Sequence, residues 1–343
     1  MSDLSKIVNA LKKKYATCST GEEKSDPIDL VSTGNLAFDL ILDGGIPFGY
    51  GTEFLGLSQG GKSVCILSIM KEAQKSRDAL CVLVDRENSF IKSRAEKTLG
   101  IDTSNLIVVG PSDIPTPTDA FLFIKDVVEG VRKQDKDRYI VIGIDSISAF
   151  GKDTTLDKSD QGRKAKAIHE GLRECLTLLD PHIMLLVANQ VTYKVGIVWG
   201  DNKTSTAGES LKYYSTIRVS LQEKRQIVDA TRGNEVIGAW IEVESIKTRI
   251  GPCYRTCHVP VFYTTGIPYY GGLARLLASR NILIPKNKTE FKSFKQHTLT
   301  YKEETVNEWK IEEFLKEHPE IDISKYPEYN TENGSKEGEE VNE

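Results

Sequence analysis

From about residue 29 to 268, short apolar runs alternate with longer stretches of helical spacing. That rhythm predicts an α/β fold, a mostly parallel twisted sheet with helices on both faces. Strands are expected at 52–55, 80–84, 106–109, 139–144 and 183–188, with helices at 63–75, 119–132 and 163–179. After Gly208 the rhythm changes. Apolar runs at 217–221, 236–246 and 254–262 follow one another with no helix between, which predicts an antiparallel edge.

The flanks read differently. Residues 1–28 carry Leu4, Ile7, Val8, Leu11 and Tyr15 at helical spacing, then a polar stretch at 17–26. This predicts an amphipathic helix on a tether. So short a helix is marginal alone in water, so its stripe needs this chain's own core or a neighbouring subunit. Residues 269–327 predict a small α+β domain. Leu273, Leu276 and Leu277 mark one helix there, and Thr305-x-x-Glu308 reads as a capping box opening another, with Trp309, Ile311 and Phe314 on its apolar side. The composition of residues 328–343 predicts an acidic disordered tail.

The chain of 343 residues, 39% hydrophobic and 27% charged, has room for one large core and a satellite. It contains no apolar run near the roughly 18 residues of a membrane helix. Its first residues lack a signal-peptide layout, so a cytoplasmic protein with no membrane partner is expected. Six scattered cysteines (Cys18, Cys65, Cys81, Cys175, Cys253 and Cys257) read as reduced thiols. Cys253-x-x-x-Cys257-His258 has no second ligand pair at finger spacing and reads as ordinary strand. The formal charge is −4, but residues 328–343 alone hold six Glu and one Lys, and removing that −5 leaves about +1. Net charge therefore does not exclude nucleic acid.

Gly56-Leu57-Ser58-Gln59-Gly60-Gly61-Lys62-Ser63 satisfies G-x-x-x-x-G-K-[ST] at every fixed position, between an expected strand and an expected helix. Loop N–H groups and the helix start, through Val64, can face phosphate oxygens. Lys62 can neutralise the β- and γ-phosphates, and the Ser63 hydroxyl can ligate magnesium. The chemistry implied is nucleoside triphosphate binding and hydrolysis, with ATP and Mg2+ as the expected ligands. Asp145, at the end of the 139–144 run, is a helix cap in isolation and a magnesium-site carboxylate beside such a loop. Glu87 follows the 80–84 run and is the candidate base for the attacking water. Gln190, after the 183–188 run, reads either as a loop hydrogen-bonder or as a group that senses the γ-phosphate.

These strand ends together resemble the RecA family of DNA recombinases from about Val31 to Glu317. Val31-Ser32-Thr33-Gly34-Asn35-Leu36-Ala37-Phe38-Asp39 is similar to the family's segment ahead of its phosphate loop, and Asp85-x-Glu87 to its aspartate and catalytic glutamate. The most specific stretch runs from Asn189-Gln190-Val191-Thr192-Tyr193-Lys194 through Thr204-Ser205-Thr206-Ala207-Gly208 to Leu211-Lys212-Tyr213-Tyr214. It aligns without a gap on the family's second DNA-binding loop and the helix after it. The spacing of Lys247 and Arg249, and Ile284-Pro285-Lys286-Asn287, resemble phage recombinases of the UvsX type.

The resemblance implies an ATP-dependent recombinase that forms a helical filament on single-stranded DNA and pairs it with homologous duplex. Lys247 and Arg249 would reach the γ-phosphate of the adjacent protomer, by arginine-finger logic. Arg163, Lys164, Lys166 and Arg173 would serve the first DNA loop at a loop-to-helix junction, and without the resemblance they read as a solvated helix face. Lys194, Val195, Gly196, Ala207, Gly208 and Lys212 would serve the second. Residues 1–28 would be the polymerisation element, Tyr213 would link that interface to the nucleotide, and single-strand-binding and mediator proteins are implied partners. The acidic tail could compete with DNA for the basic loops. Two departures stand out: Ser93-Arg94-Ala95-Glu96 replaces the region of the family's adenine-stacking tyrosine, and Glu209 stands where an amide adjoins DNA. A ring-forming helicase and a non-catalytic ATP-binding accessory protein are the competing expectations. Glu87 argues against the second.

Overall fold

The computed structural model describes residues 3–14, 29–150, 158–193, 203–205, 210–295 and 297–324. Helix α1 (Asp3–Lys12) comes first, and strands β1 (Leu30–Val31) and β2 (Ile46–Pro47) then bracket α2 (Leu36–Ile41). The core follows in the order β3 (Gly51–Gly56), α3 (Lys62–Arg77), β4 (Leu80–Asp85), α4 (Lys92–Arg94), β5 (Leu106–Val109), α5 (Pro117–Gln134), β6 (Ile140–Asp145) and α6 (Lys158–Leu178). It continues through β7 (Ile183–Tyr193), β8 (Lys203–Ser205), α7 (Ser210–Tyr214), β9 (Ile217–Asp229), β10 (Glu235–Lys247) and β11 (Thr256–Phe262). The last part holds α8 (Leu273–Ser279), β12 (Ile284–Pro285), α9 (Lys288–Lys292), β13 (Thr298–Tyr301), β14 (Glu304–Asn307) and α10 (Ile311–Glu317).

The strands of the large sheet lie in the order β11-β10-β9-β3-β7-β6-β4-β5, with β8 paired to the end of β7. Strands β3, β4, β6 and β7 are buried on both faces over residues 51–56, 81–85, 140–145 and 183–189, which is why they read as unbroken apolar runs. One face packs Phe54, Ile66, Ile69 and Met70, and the other packs Ile124, Ile140, Leu172 and Leu185. Leu273, Leu277, Phe291, Leu299, Ile311 and Phe314 join the first of these clusters, so residues 269–324 share the core's apolar packing.

The expected antiparallel edge is present, since β9, β10 and β11 pair antiparallel in turn. Strand β9 joins the rest of the sheet in parallel, pairing Thr52 with Ile217 and Gly56 with Leu221. The reason is the connection: α7 carries the chain back to the start of β3, where Thr216 N–H donates to the Gly51 carbonyl at 2.8 Å. A return of that kind makes the next strand parallel. Strand β7 does not stop at 188 but runs to Tyr193, because β8 pairs with it at Val191–Ser205, Thr192–Thr204 and Tyr193–Lys203.

Helix α6 begins at Lys158, so Arg163, Lys164, Lys166 and Arg173 lie along a helix and not at its junction with a loop. Thr305 opens no helix: it sits in β14, and Asn307 caps the following turn by accepting from Trp309 N–H at 2.9 Å. Trp309 is half-exposed in that turn, while Ile311 and Phe314 are buried. The capping box lies instead at Thr116 and Asp119, around Pro117 at the start of α5.

The thiols of Cys65, Cys81, Cys175 and Cys257 are buried and free, with burial pushing Cys65, Cys81 and Cys175 up to about 12. Among the described residues no group of three or more His, Cys, Asp or Glu could hold a metal, and no helix is long and apolar enough to cross a membrane. Cys18 and residues 325–343 lie outside the described residues.

Candidate functional site

Strand β3 ends in Gly56 beneath the loop that feeds α3. A Cβ on Gly56 would stand 2.4 Å from the Leu221 carbonyl of β9, so its lack of a side chain serves strand packing. Gly61, at φ 85°, makes the left-handed turn into α3 that a glycine takes without strain.

Lys62, 6% exposed, folds back on the loop and donates to the carbonyls of Gly56 at 3.1 Å and Leu57 at 2.7 Å. Burial lowers its ammonium below the ordinary lysine value, and the charges of Asp145 and Glu87 oppose that shift. Asp145, at the end of β6, is 5% exposed. Burial raises it to about 6; its hydrogen bond with Ser63 opposes this, and the charges of Glu87 and Asp85 add to it.

The loop after β4 is tied down by Asp85, which accepts from Glu87 N–H at 3.2 Å and Phe90 N–H at 2.8 Å. Glu87 Oε1 in turn accepts from Ser146 Oγ at 2.7 Å and Gln190 Nε2 at 2.6 Å. Four strands that neighbour one another in the sheet therefore deliver Lys62, Ser63, Glu87, Asp145 and Gln190 to one place. Parallel sheets bind ligands outside this carboxyl edge.

These side chains line a cavity of about 440 Å³ together with Ser58, Gln59, Gly60, Gly61 and Val64. It is also walled by Phe90, Ile91, Arg94, Leu99, Phe262 and Tyr263. These walls were missed from sequence, because Tyr263 lies some 200 residues from the phosphate loop with which it shares the cavity and nothing local marks it. Arg94 occupies the region where the stacking tyrosine was absent.

Lys247 and Arg249 do not line this cavity. Lys247 pairs in register with Arg218, itself opposite Glu53 near the start of β3, so both cations sit at the other end of the sheet. Lys247 Nζ donates to the Lys212 carbonyl at 2.6 Å, and an Arg249 guanidinium N–H donates to the Tyr213 carbonyl at 3.4 Å. They cover the last carbonyls of α7, a favourable place for positive charge.

On α6, Arg163, Lys166 and Arg173 are exposed, opposite the buried Ile168, Leu172 and Cys175. Spacings of three, seven and ten set them on one stripe. Lys166 Nζ lies 3.9 Å from Glu170 on the same stripe. Nothing is described of the Lys164 side chain, and Lys194, Val195, Gly196, Ala207, Gly208 and Glu209 lie outside the described residues; Lys212 is exposed on α7.

The RecA N-terminal domain family matches residues 2–268. The chain belongs to the RecA family. It is similar to Protein RecA of Thermus aquaticus, 29% identical over 327 residues that cover 92% of this chain and 90% of that protein. Protein RecA of Mannheimia haemolytica is 29% identical over 316 residues, covering 90% and 80%. Protein RecA of Marinobacter nauticus is 30% identical over 260 residues, covering 74% and 71%. The family assignment agrees with the α/β architecture and with the resemblance read from residues 189–214.

Proposed function

We propose that this RecA-family chain is an ATP-dependent DNA recombinase that assembles on single-stranded DNA and exchanges strands with a homologous duplex, hydrolysing ATP when DNA is bound. The carrying observation is the convergence of Lys62, Ser63, Glu87, Asp145 and Gln190 on one cavity of about 440 Å³, with hydrogen bonds joining Ser63 to Asp145 and Glu87 to Gln190. A magnesium ion fits this donor set, since hydroxyl and carboxylate oxygens stand side by side where phosphates would enter. Ser63 and Asp145 would hold it, and when bound it supplies positive charge to the β- and γ-phosphate oxygens.

Lys62 exchanges its loop carbonyls for phosphate oxygens, and Glu87 accepts a proton from the attacking water. Gln190 lies one residue before the β7–β8 pairing, which begins at Val191–Ser205, so a change of its partner from Glu87 to phosphate bears on the strand that leads to residues 194–202. That segment, Arg163 and Arg173 on α6, and Lys212 are the proposed DNA grip: cations track phosphates while the loop enters among bases. Lys247 and Arg249 complete a neighbour's site. Residues 1–28 are the proposed assembly element, 29–268 the ATPase core and 269–327 an accessory domain. The phage-type subdivision rests on the Lys247 and Arg249 spacing and on residues 284–287.

The test is ATP-dependent pairing of a single strand with homologous duplex, run beside unwinding of a forked duplex. Pairing without unwinding is expected. Unwinding without pairing would replace the recombinase with a helicase, and ATP binding with neither activity would leave an accessory protein.

A further inference from the structure

Glu53 lies inside the fully buried strand β3 and is 0% exposed. Burying a carboxylate is costly, and well-packed apolar residues in place of a buried ion pair are often neutral or stabilising. The fold alone therefore has little need of Glu53, and its partners point to another role. Its Oε1 accepts from Asn189 Nδ2 at 2.6 Å and its Oε2 from Arg218 Nε at 2.5 Å. Asn189 Oδ1 accepts from Ser148 Oγ at 3.1 Å, and Ser148 Oγ accepts from the Gln190 N–H at 2.7 Å. On the other side Arg218 stands in register between Glu53 and Lys247 across β3, β9 and β10. A hydrogen-bonded chain thus runs from Gln190 to Arg218, and Arg218 stands in register beside Lys247, on which its charge acts directly.

We propose that Glu53 is a positioning residue that couples a subunit's own nucleotide site, through Asn189, Ser148 and Gln190, to the cations it offers the next subunit, through Arg218 and Lys247. This rests on the reading that Lys247 and Arg249 act on a neighbour's nucleotide. The electrostatics fit. Burial, then Arg249 and Arg218, lower the Lys247 ammonium, and the charge of Glu53 opposes them. Without that charge three cations share one strand end with no buried anion among them, and they move apart.

Mixed filaments separate this role from a structural one, because the variant subunit is then not the one whose turnover is read. Wild-type subunits in the minority are assembled on single-stranded DNA with carriers silenced by Lys62→Arg, and hydrolysis is counted per wild-type subunit. Carriers that add Glu53→Gln, which keeps an acceptor for Asn189 but turns an amide toward Arg218, are expected to lower that rate by about fivefold or more. Carriers that add Lys247→Ala serve as reference and are expected to lower it at least as much. If Glu53→Gln carriers co-sediment with the filament and leave the rate unchanged while Lys247→Ala lowers it, the coupling is wrong and the trans reading stands. If Lys247→Ala also leaves it unchanged, the trans reading falls and the coupling with it. Should Glu53→Gln carriers fail to co-sediment, Arg218→Gln in the same carrier interrupts the same link, with the same two outcomes.

Discussion

Asp145 shows how a single side chain can be set against the fold that holds it. Its carboxyl is raised from 3.8 to about 6, chiefly by burial. In that interval the folded chain keeps a proton that the unfolded chain has lost, so stability falls as pH rises from about 4 to 6 and stays lower above it. A shift of two units corresponds to about 3 kcal/mol at most. In metal-free protein, Asp145→Asn is therefore expected to be more stable than wild type at pH 7.5, by about 2 kcal/mol, and to lose most of that advantage by pH 4.5. Urea unfolding in the presence of a chelator checks this. An equal difference at both pH values would show that the carboxylate carries no burial cost. Sites for charged ligands commonly hold such destabilised groups.

Among the elements, α6 presents the clearest division of labour. Its inward side buries Ile168, Leu172 and Cys175, and its outward stripe carries Arg163, Lys166 and Arg173. Glu170 sits within that stripe and offsets Lys166, which makes Arg173, one turn further on, the better isolated probe of phosphate contact. Arg173→Ala is expected to weaken single-strand binding and to reduce the slope of log affinity against log salt by about 0.7. Unaltered binding at every salt concentration would return α6 to a solvated face. Legibility follows the same division. Periodicity and the phosphate-loop motif located β3, β4, β6 and α3 within a few residues, because buried parallel strands and glycine loops write local patterns. The parallel setting of β9, the β7–β8 pairing and the Asn307 cap were not legible, since partners distant in sequence decide them. Glu53 left one local sign, a lone carboxylate in an apolar run, whose meaning appears only once Asn189 and Arg218 stand beside it.

At the scale of the whole molecule, the proposed trans role of Lys247 and Arg249 leaves the site incomplete in one subunit. The cavity holds Lys62 as its cation near Glu87 and Asp145, while Lys247 and Arg249 stand at the opposite end of the sheet. Helix α1 is incomplete in a matching way: Val8 is buried, but Ile7 and Leu11 are 57% and 41% exposed. An apolar stripe left half open on so short a helix gains most by packing on another copy. Tyr213, 70% exposed, adjoins the carbonyls that Lys247 and Arg249 cover, so the face proposed to meet a neighbour includes an aromatic beside the cations. Binding and turnover should therefore separate on truncation. A chain lacking residues 1–28 keeps every side chain that lines the cavity, so its affinity for a fluorescent ATP analogue is expected to stay within about threefold of the full chain. Its DNA-stimulated hydrolysis should fall by about a hundredfold or more, because charge supplied in trans carries factors of that size or larger. Light scattering and electron microscopy should show monomers in place of filaments. Filaments formed by the truncated chain would mean that another surface drives assembly, and hydrolysis retained by monomers would mean that Lys247 and Arg249 are not needed from a neighbour.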